Sequence, residues 1–229
     1  MQVKKDKSRI VKKNEYKIPE PTLRRLPWYL AYAQLAKHNG EMYLSSTQIA
    51  NNIAVDASKV AKDLSYVQIS GRTRVGYDLN ELVEVLQAFL GFTNSHKAFL
   101  FGVGSLGGAL LHDDGLNQFG LEIVAGFDVK YELAGTSIHR VPIHHISHFK
   151  ELQKKTNIQI GVLTVPVDKA QEAAEMMIEG GIKAIWNFTP YRIRVPENII
   201  VQNTSIYAHL AVMFNRLNEE NQAKLSPNP

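Results

Sequence analysis

The chain has no cysteine. That excludes a disulfide framework, thiolate metal ligation and thiol catalysis, and it suits a reducing compartment, so a cytoplasmic location is the expectation. No apolar run approaches the roughly 18 residues that a membrane-spanning helix needs. The polar, lysine-rich start lacks the apolar core of a secretory signal. Groups for acid–base or metal chemistry are also scarce. His139, His144, His145 and His148 cluster in sequence, and a helix through them would set His144 and His148 one turn apart, but no acidic ligand stands beside them. A solvated helix start accounts for them without a metal. What the chain does have is 45% hydrophobic residues over 229 positions, enough to bury one large core or two small ones.

Its charge is unevenly placed. Residues 1–78 carry 14 Lys+Arg against 7 Asp+Glu, whereas the remainder carries 12 against 15. A basic front on a slightly acidic body fits a polyanionic partner. A solubilising tail would give the same surplus, because Lys4, Lys5, Lys7, Arg9, Lys12 and Lys13 supply six of those charges.

Residues 1–18 have no apolar period and read as a flexible basic tail. A helical pattern follows, with Leu23, Leu26, Leu30 and Leu35 inward, Gly40 as its stop and Pro27 predicting a break. Ser45 or Ser46 can cap a helix over TQIANNIA, and Asp56 one over ASKVAKDLSYV. The short AVD turn between them is the unit of a helix-turn-helix. ISGRTRVGYDL reads as a small β-ribbon bending at Gly71 and Gly76, and LNELVEVLQAFLGF as an amphipathic linking helix.

Beyond Gly91 the period changes to alternating strands and helices. KAFLFGV, LEIVAGFD, HRVPI, IQIGVLTVP and IKAIWNFT read as strands. SLGGALLHDDGLNQ, HHISHFKELQKKT and DKAQEAAEMMIEGG read as helices. This order predicts a mostly parallel sheet covered on both faces. VPENIIV adds a strand and TSIYAHLAVMFNRLNEE a last helix, before a frayed SPNP end. That helix is apolar around most of its circumference, which calls for cover on two sides, either from a partner or by packing in cis.

FLFGVGSLGGALL holds the sharpest signal. Gly102, Gly104 and Gly107 stand in G-x-G-x-x-G spacing between an apolar strand and a helix. The first glycine permits a tight turn, the second admits a pyrophosphate against the backbone, and the third allows helix and strand to pack closely. The loop and helix start, Val103, Ser105 and Leu106, supply amides to phosphate. Asp128 lies 21 positions after Gly107, where a carboxylate accepts hydrogen bonds from the adenosine ribose. It would repel a 2′-phosphate and so favour NAD(H), with Val129 and Lys130 alongside. Two more loops end strands, where ligands bind in such sheets: Thr164, Val165 and Pro166, then Asn187, Thr189 and Pro190. The same features also suit a Rossmann-type domain for coenzyme A or for no ligand. Only one modest α/β domain follows residue 91, which leaves no room for a substrate domain and makes catalysis unexpected.

Several stretches together resemble the Rex family of redox-sensing transcriptional repressors. They are IPEPTLRRLPWY, SSTQIA, DASKVAKDLSY, GRTRVGY, FGVGSLGGALL, Phe127–Asp128, GVLTVPVDKAQ and GIKAIWNFTP, and they cover Ile18 to about Leu217. The resemblance implies a homodimer that binds double-stranded operator DNA through winged helices and takes NADH or NAD⁺ as a regulatory ligand. NADH closes the dimer and releases DNA, and the C-terminal helix swaps onto the partner subunit. The implied DNA-contacting residues are Ser46, Ser58, Lys59, Lys62, Ser65, Tyr66, Arg72 and Arg74. The implied organisation is a tail (1–18), a winged-helix domain (19–78), a Rossmann-type domain with its linking helix (79–203) and a dimerisation helix (204–229). The chain departs from the family pattern at three places. Ala61 replaces one of a basic pair before Asp63. Ala31 and Ser205 replace an arginine and an aspartate that couple the domains. The alternative is a Rex-like nucleotide- or coenzyme A-binding protein with weakened specific DNA binding.

Overall fold

In the computed structural model, which describes residues 18–225, the first helix follows its own period rather than its leucines. Helix α1 (Glu20–His38) buries Thr22, Leu26, Tyr29, Leu30, Ala33 and Ala36. Leu23 and Leu35, expected inward, are 40% and 54% exposed. The expected break at Pro27 does not occur, since the helix runs through it. The carbonyl that loses a donor there belongs to Leu23, on the solvent side, and burial of the opposite face offsets the cost of about 3 kcal/mol. The expected basic tail and the SPNP end lie outside the described residues.

Strand β1 (Tyr43–Leu44) leads into α2 (Ser46–Ile53), whose start is a capping box: Gln48 N–H donates to Ser45 Oγ at 3.1 Å and Ser45 N–H to Gln48 Oε1 at 2.9 Å. Ala54, in the left-handed region at φ +56°, turns the chain into α3 (Ala57–Tyr66). Asp56 occupies the cap position of α3, but its side chain makes no cap bond. The expected β-ribbon is reduced to one bridge, Arg72 to Gly76, around a tight loop. Strand β2 (Tyr77–Asp78) instead pairs antiparallel with β1, so the wing is closed by a segment more than 30 residues earlier. Gly76, at φ +102°, is required there, because a Cβ would stand 2.6 Å from the Leu44 carbonyl oxygen.

Helix α4 (Leu79–Phe89) is capped by Asp78 and buries Leu79, Leu82, Val83 and Leu86 in the same core as α1. The compact units divide at Thr93/Asn94, so this linking helix belongs to the first unit. Its amphipathic period already carried the four residues that α1 needs as cover.

The second unit runs β3 (His96–Phe101), α5 (Ser105–Leu111), α6 (Asp114–Gln118), β4 (Leu121–Asp128), β5 (Ser137–Ile138), β6 (Val141–His145), α7 (Phe149–Thr156), β7 (Ile160–Leu163), α8 (Ala170–Glu179), β8 (Ala184–Asn187), β9 (Ile200–Asn203) and α9 (Ile206–Leu225). Its seven-stranded sheet has the order β5-β6-β4-β3-β7-β8-β9, parallel except for the β5–β6 hairpin. Leaving out β5, the order is the doubly wound one whose switch point lies between β3 and β7. β3 is buried on both faces, with Phe99 and Phe101 toward one core and Ala98 and Leu100 toward the other. Phe99, Phe101, Phe127 and Phe149 form an aromatic cluster with ring centroids 5.0 to 6.1 Å apart.

Three expected elements are redrawn. The helix over 105–118 is two helices, because Asp113 caps a new start by accepting from Gly115 N–H at 2.8 Å. The strand over 139–143 is a hairpin whose turn residues, His139 and Arg140, both have positive φ. The helix over 144–156 starts only at Phe149, with His144 and His145 in β6 and Ile146–His148 in a 3₁₀ turn. His144 and His148 are therefore not one helical turn apart.

Candidate functional site

The glycine loop lies at the C-terminal end of β3, with each glycine held to a different requirement. Gly102 sits at φ +94°, and a Cβ on it would stand 2.8 Å from the Val165 amide nitrogen and 2.9 Å from the Thr164 carbonyl. A Cβ on Gly107 would collide with the Gly102 carbonyl oxygen. Around Gly104 nothing lies within 4 Å of a Cβ, so that backbone faces open space. The residues therefore fit a pyrophosphate: two glycines are dictated by the protein's own packing, and the third leaves a cradle that a side chain would fill. Ser105 and Leu106 open α5 beside it.

Asp128 ends β4 next to this loop. Its Oδ2 accepts from Val103 N–H at 2.7 Å and its Oδ1 from Lys130 N–H at 2.9 Å. One carboxylate thus fixes the turn and, having about four lone-pair sites, keeps acceptor capacity for a diol. Val129 and Lys130 are exposed beyond it. Thr164 clamps the loop, its hydroxyl reaching the Gly102 carbonyl at 2.7 Å and the Phe101 carbonyl at 3.0 Å. Val165 is half-buried and Pro166 exposed.

Asn187 is fully buried and its amide is used entirely within the protein. Nδ2 donates to the Tyr191 carbonyl and to Asn203 Oδ1, while Oδ1 accepts from the Thr189 amide and hydroxyl. Asn187 and Thr189 thus order the β8 loop, and Pro190 is exposed on it. Thr204 N–H donates to the Asn187 carbonyl, which ties this node to the root of α9. Ser205 caps the first turn of α9 by accepting from Ala208 N–H at 3.2 Å. Ile206, Tyr207, Leu210, Val212, Met213, Phe214 and Leu217 on α9 are all exposed in the single chain.

In the first unit, Ser58, Lys59, Ala61, Lys62 and Ser65 are exposed on α3, and Tyr66 is half-buried at its end. Ser65 Oγ donates back to the Lys62 carbonyl at 2.7 Å. Ser46 Oγ lies 3.4 Å from the Tyr77 hydroxyl. On the wing, Arg72 sits over the Tyr43 ring, 5.8 Å from its centroid, and Arg74 is exposed at the turn with φ +64°. Val60 and Leu64 turn inward, which leaves the polar face of α3 and the two wing arginines to solvent.

The opposite face of α3 carries a network that the sequence pattern did not reveal. Asp63, 2% exposed, accepts from Thr22 Oγ1 (2.9 Å), Arg25 Nε (2.7 Å) and Nη2 (2.9 Å), and Tyr29 Oη (2.6 Å). Burial alone would push the Asp63 carboxyl up. The hydrogen bonds from Arg25, Tyr29 and Thr22 outweigh that and hold it below its usual range. The bond to Asp63 likewise raises Arg25, and burial followed by the bond to Asp63 raises the Tyr29 hydroxyl. The available signal was an acid on the same helical face as Val60 and Leu64, with Arg25 and Tyr29 one turn apart on α1.

Fold and site together define a two-part protein: a winged-helix head followed by a Rossmann domain whose glycine loop and strand-end carboxylate form a dinucleotide-type seat. Residues 93–191 match the family model of a CoA binding domain, and residues 17–65 match a family model of DNA-binding protein N-termini. The redox-sensing transcriptional repressor Rex of Bacteroides thetaiotaomicron is 66% identical over 88% of this chain and 92% of its own length. That of Bacteroides fragilis is 64% identical over 92% of this chain and 96% of its own. The chain belongs to the Rex family of redox-sensing transcriptional repressors. The Rex-family repressor RSP, solved with NAD⁺ and operator DNA, superposes with a TM-score of 0.85 at 30% identity, over 92% of this chain and 97% of that one. Its complex with NADH superposes with a TM-score of 0.82. No helix among the described residues is long and apolar enough to cross a membrane.

Proposed function

We propose that this chain is an NADH-responsive repressor that binds operator DNA as a homodimer in the cytoplasm and reads the nucleotide without turning it over. The open cradle at Gly104 with Asp128 beside it carries this reading. The amides of Gly104 to Gly107 hold the pyrophosphate, the Val103 amide being taken by Asp128. Asp128 receives the ribose hydroxyls, and the β8 loop around Thr189 and Pro190 walls the nicotinamide end together with Val165 and Pro166. NADH, when bound, supplies a reduced ring whose occupancy reports the redox state of the pool. On the head, Lys59, Lys62, Arg72 and Arg74 neutralise phosphates, and Ser58 and Ser65 face the groove. Exposed apolar side chains along α9 support pairing with a second copy.

Titrating operator duplex with NADH and with NAD⁺ tests the reading. DNA affinity falls with NADH and is retained with NAD⁺, and equal affinity under both overturns it. Two substitutions separate the sites. Asp128→Ala is expected to weaken NADH by about 100-fold, the loss of charge-assisted hydrogen bonds worth about 1.5–3 kcal/mol each, and to narrow the gap to NADPH. Calorimetric titration with both nucleotides checks it. Lys62→Ala is expected to weaken DNA across sequences, flatten the salt dependence by about one unit of slope and leave NADH binding unchanged. Fluorescence anisotropy at several salt concentrations checks that.

A further inference from the structure

Beyond Asp128 the chain turns through Tyr131, whose ring lies flat on that of His145, with centroids 3.9 Å apart and planes 9° from parallel. Tyr131 is 75% exposed, so the stack leaves its outer face to solvent. Tyr131 opens a 3₁₀ turn just after β4 ends at Asp128, and His145, the last residue of the neighbouring strand β6, is the register partner of Asp128.

The pair is rigidly mounted. Ser147 N–H donates to His145 Nδ1, and the Ser147 hydroxyl lies 2.8 Å from the same nitrogen, which fixes the imidazole plane. The loop carrying Tyr131 is a 3₁₀ turn tied to β6 by Gly135 N–H to the Ile143 carbonyl and by Ile143 N–H to the Thr136 carbonyl. An aromatic face set in place by its own supports loses little freedom when a flat ligand settles on it.

We infer that Tyr131, backed by His145, is the platform on which an adenine base stacks when its ribose is held by Asp128. The inference rests on the dinucleotide reading of the seat and adds the residues that recognise its base. A ribose gripped at the end of β4 projects its base past residue 128, and Tyr131 is the first aromatic ring on that path. Stacking needs only a π face, so the platform serves any adenosine diphosphate-bearing ligand. The adenylate half of the seat should accordingly bind ADP by itself.

Calorimetric titration of the full chain and its variants with ADP, NADH and reduced nicotinamide mononucleotide, which has no adenine, tests this. Tyr131→Leu is expected to weaken ADP and NADH by about 5- to 150-fold, the range produced by removing one base–aromatic stack. It should leave the mononucleotide unchanged, and Tyr131→Phe should bind all three as the parent does. Adding His145→Ala to Tyr131→Leu should cost ADP nothing further, because His145 acts through the tyrosine ring. Parent-like ADP and NADH binding by Tyr131→Leu overturns the platform, as does equal loss of the mononucleotide or an additive double variant. ADP binding that depends on Tyr131 without any NADH binding would keep the platform and defeat the dinucleotide reading. Absence of both from the parent protein would defeat the two together.

Discussion

Replacing Asp63 by alanine is expected to destabilise the DNA-reading unit by about 3–5 kcal/mol, the usual result of removing one partner from a buried ion pair. Four donors converge on this carboxylate, and the deletion strands Arg25, Tyr29 and Thr22 together on the face of α1 that packs α3. For a unit of this size the loss is a lowering of the melting temperature by at least about 12 °C. Hydrogen exchange resolves it by unit: amides of α1 to α4 lose protection and those of the sheet keep theirs. The carboxyl is depressed when folded, so its contribution is full above the ordinary value of 3.8 and is lost as pH falls through the folded value. Tyr29 is raised, so its contribution is full below the ordinary value of 10.0 and is lost as pH rises through the folded one. The head should therefore be most stable between these limits, and Asp63→Asn should remove the acid limb alone. An unchanged acid limb in Asp63→Asn would contradict the assignment.

Gly107→Ala is expected to abolish nucleotide binding, with a loss well above 100-fold. The added methyl meets the Gly102 carbonyl oxygen, and that oxygen cannot retreat, because Thr164 Oγ1 holds it at 2.7 Å and Gly102 is fixed in the left-handed region. Thr164 Oγ1 and Leu100 Cδ2 also stand within 3.1 Å of the new atom. Helix α5 must therefore move off β3, taking its first amides from the cradle. Gly104→Ala is the informative contrast. Its φ of −81° suits any residue and its Cβ meets nothing within 4 Å, so the protein folds as before. Only the ligand finds the space taken. Thermal melts with and without NADH distinguish the two: Gly107→Ala melts earlier and shows no ligand shift, whereas Gly104→Ala melts normally with a reduced shift. Equal behaviour of the two variants would mean that the glycines do not divide the work in this way.

These two cases also show what the sequence could reveal. The strand, glycine loop and aspartate are legible because their spacing follows from backbone geometry within one β-α-β unit. The Asp63 network is not, because its partners lie 34 to 41 residues away and only the packing of α1 on α3 brings them together. Short elements were lost for a related reason. Two-residue strands such as Tyr43–Leu44 carry no period, and the turn at His139–Arg140 uses neither glycine nor asparagine to announce its positive φ. Pro27 and Asp113 misled in opposite directions. The proline broke nothing, because its orphaned carbonyl faces water, and the aspartate split a helix that its apolar period would have continued. At Asn187 the side-chain amide is spent on the Tyr191 carbonyl, Asn203 and Thr189, a set of partners that no local spacing announces.

The departures at Ala31, Ala61 and Ser205 bear on strength and coupling rather than on the seat. Ala61 leaves Lys59 and Lys62 as the exposed cations of α3. Ser205 is used as a helix cap, and Ala31 is exposed without a polar group to offer. We propose that nucleotide and DNA communicate here without the charged pair that the family resemblance implies, with the exposed apolar surface of α9 as the element involved.

The most direct test of that communication is a reciprocal one. The affinity of the protein for NADH is measured alone and when saturated with an operator duplex selected from a random pool, and DNA affinity is measured with and without NADH. Linkage demands one coupling factor in both directions, with magnitudes of about 5- to 150-fold typical for coupled sites. A tighter grip on NADH by the free protein, by the same factor with which NADH weakens DNA, is the predicted result. Identical NADH affinity with and without operator would contradict the account.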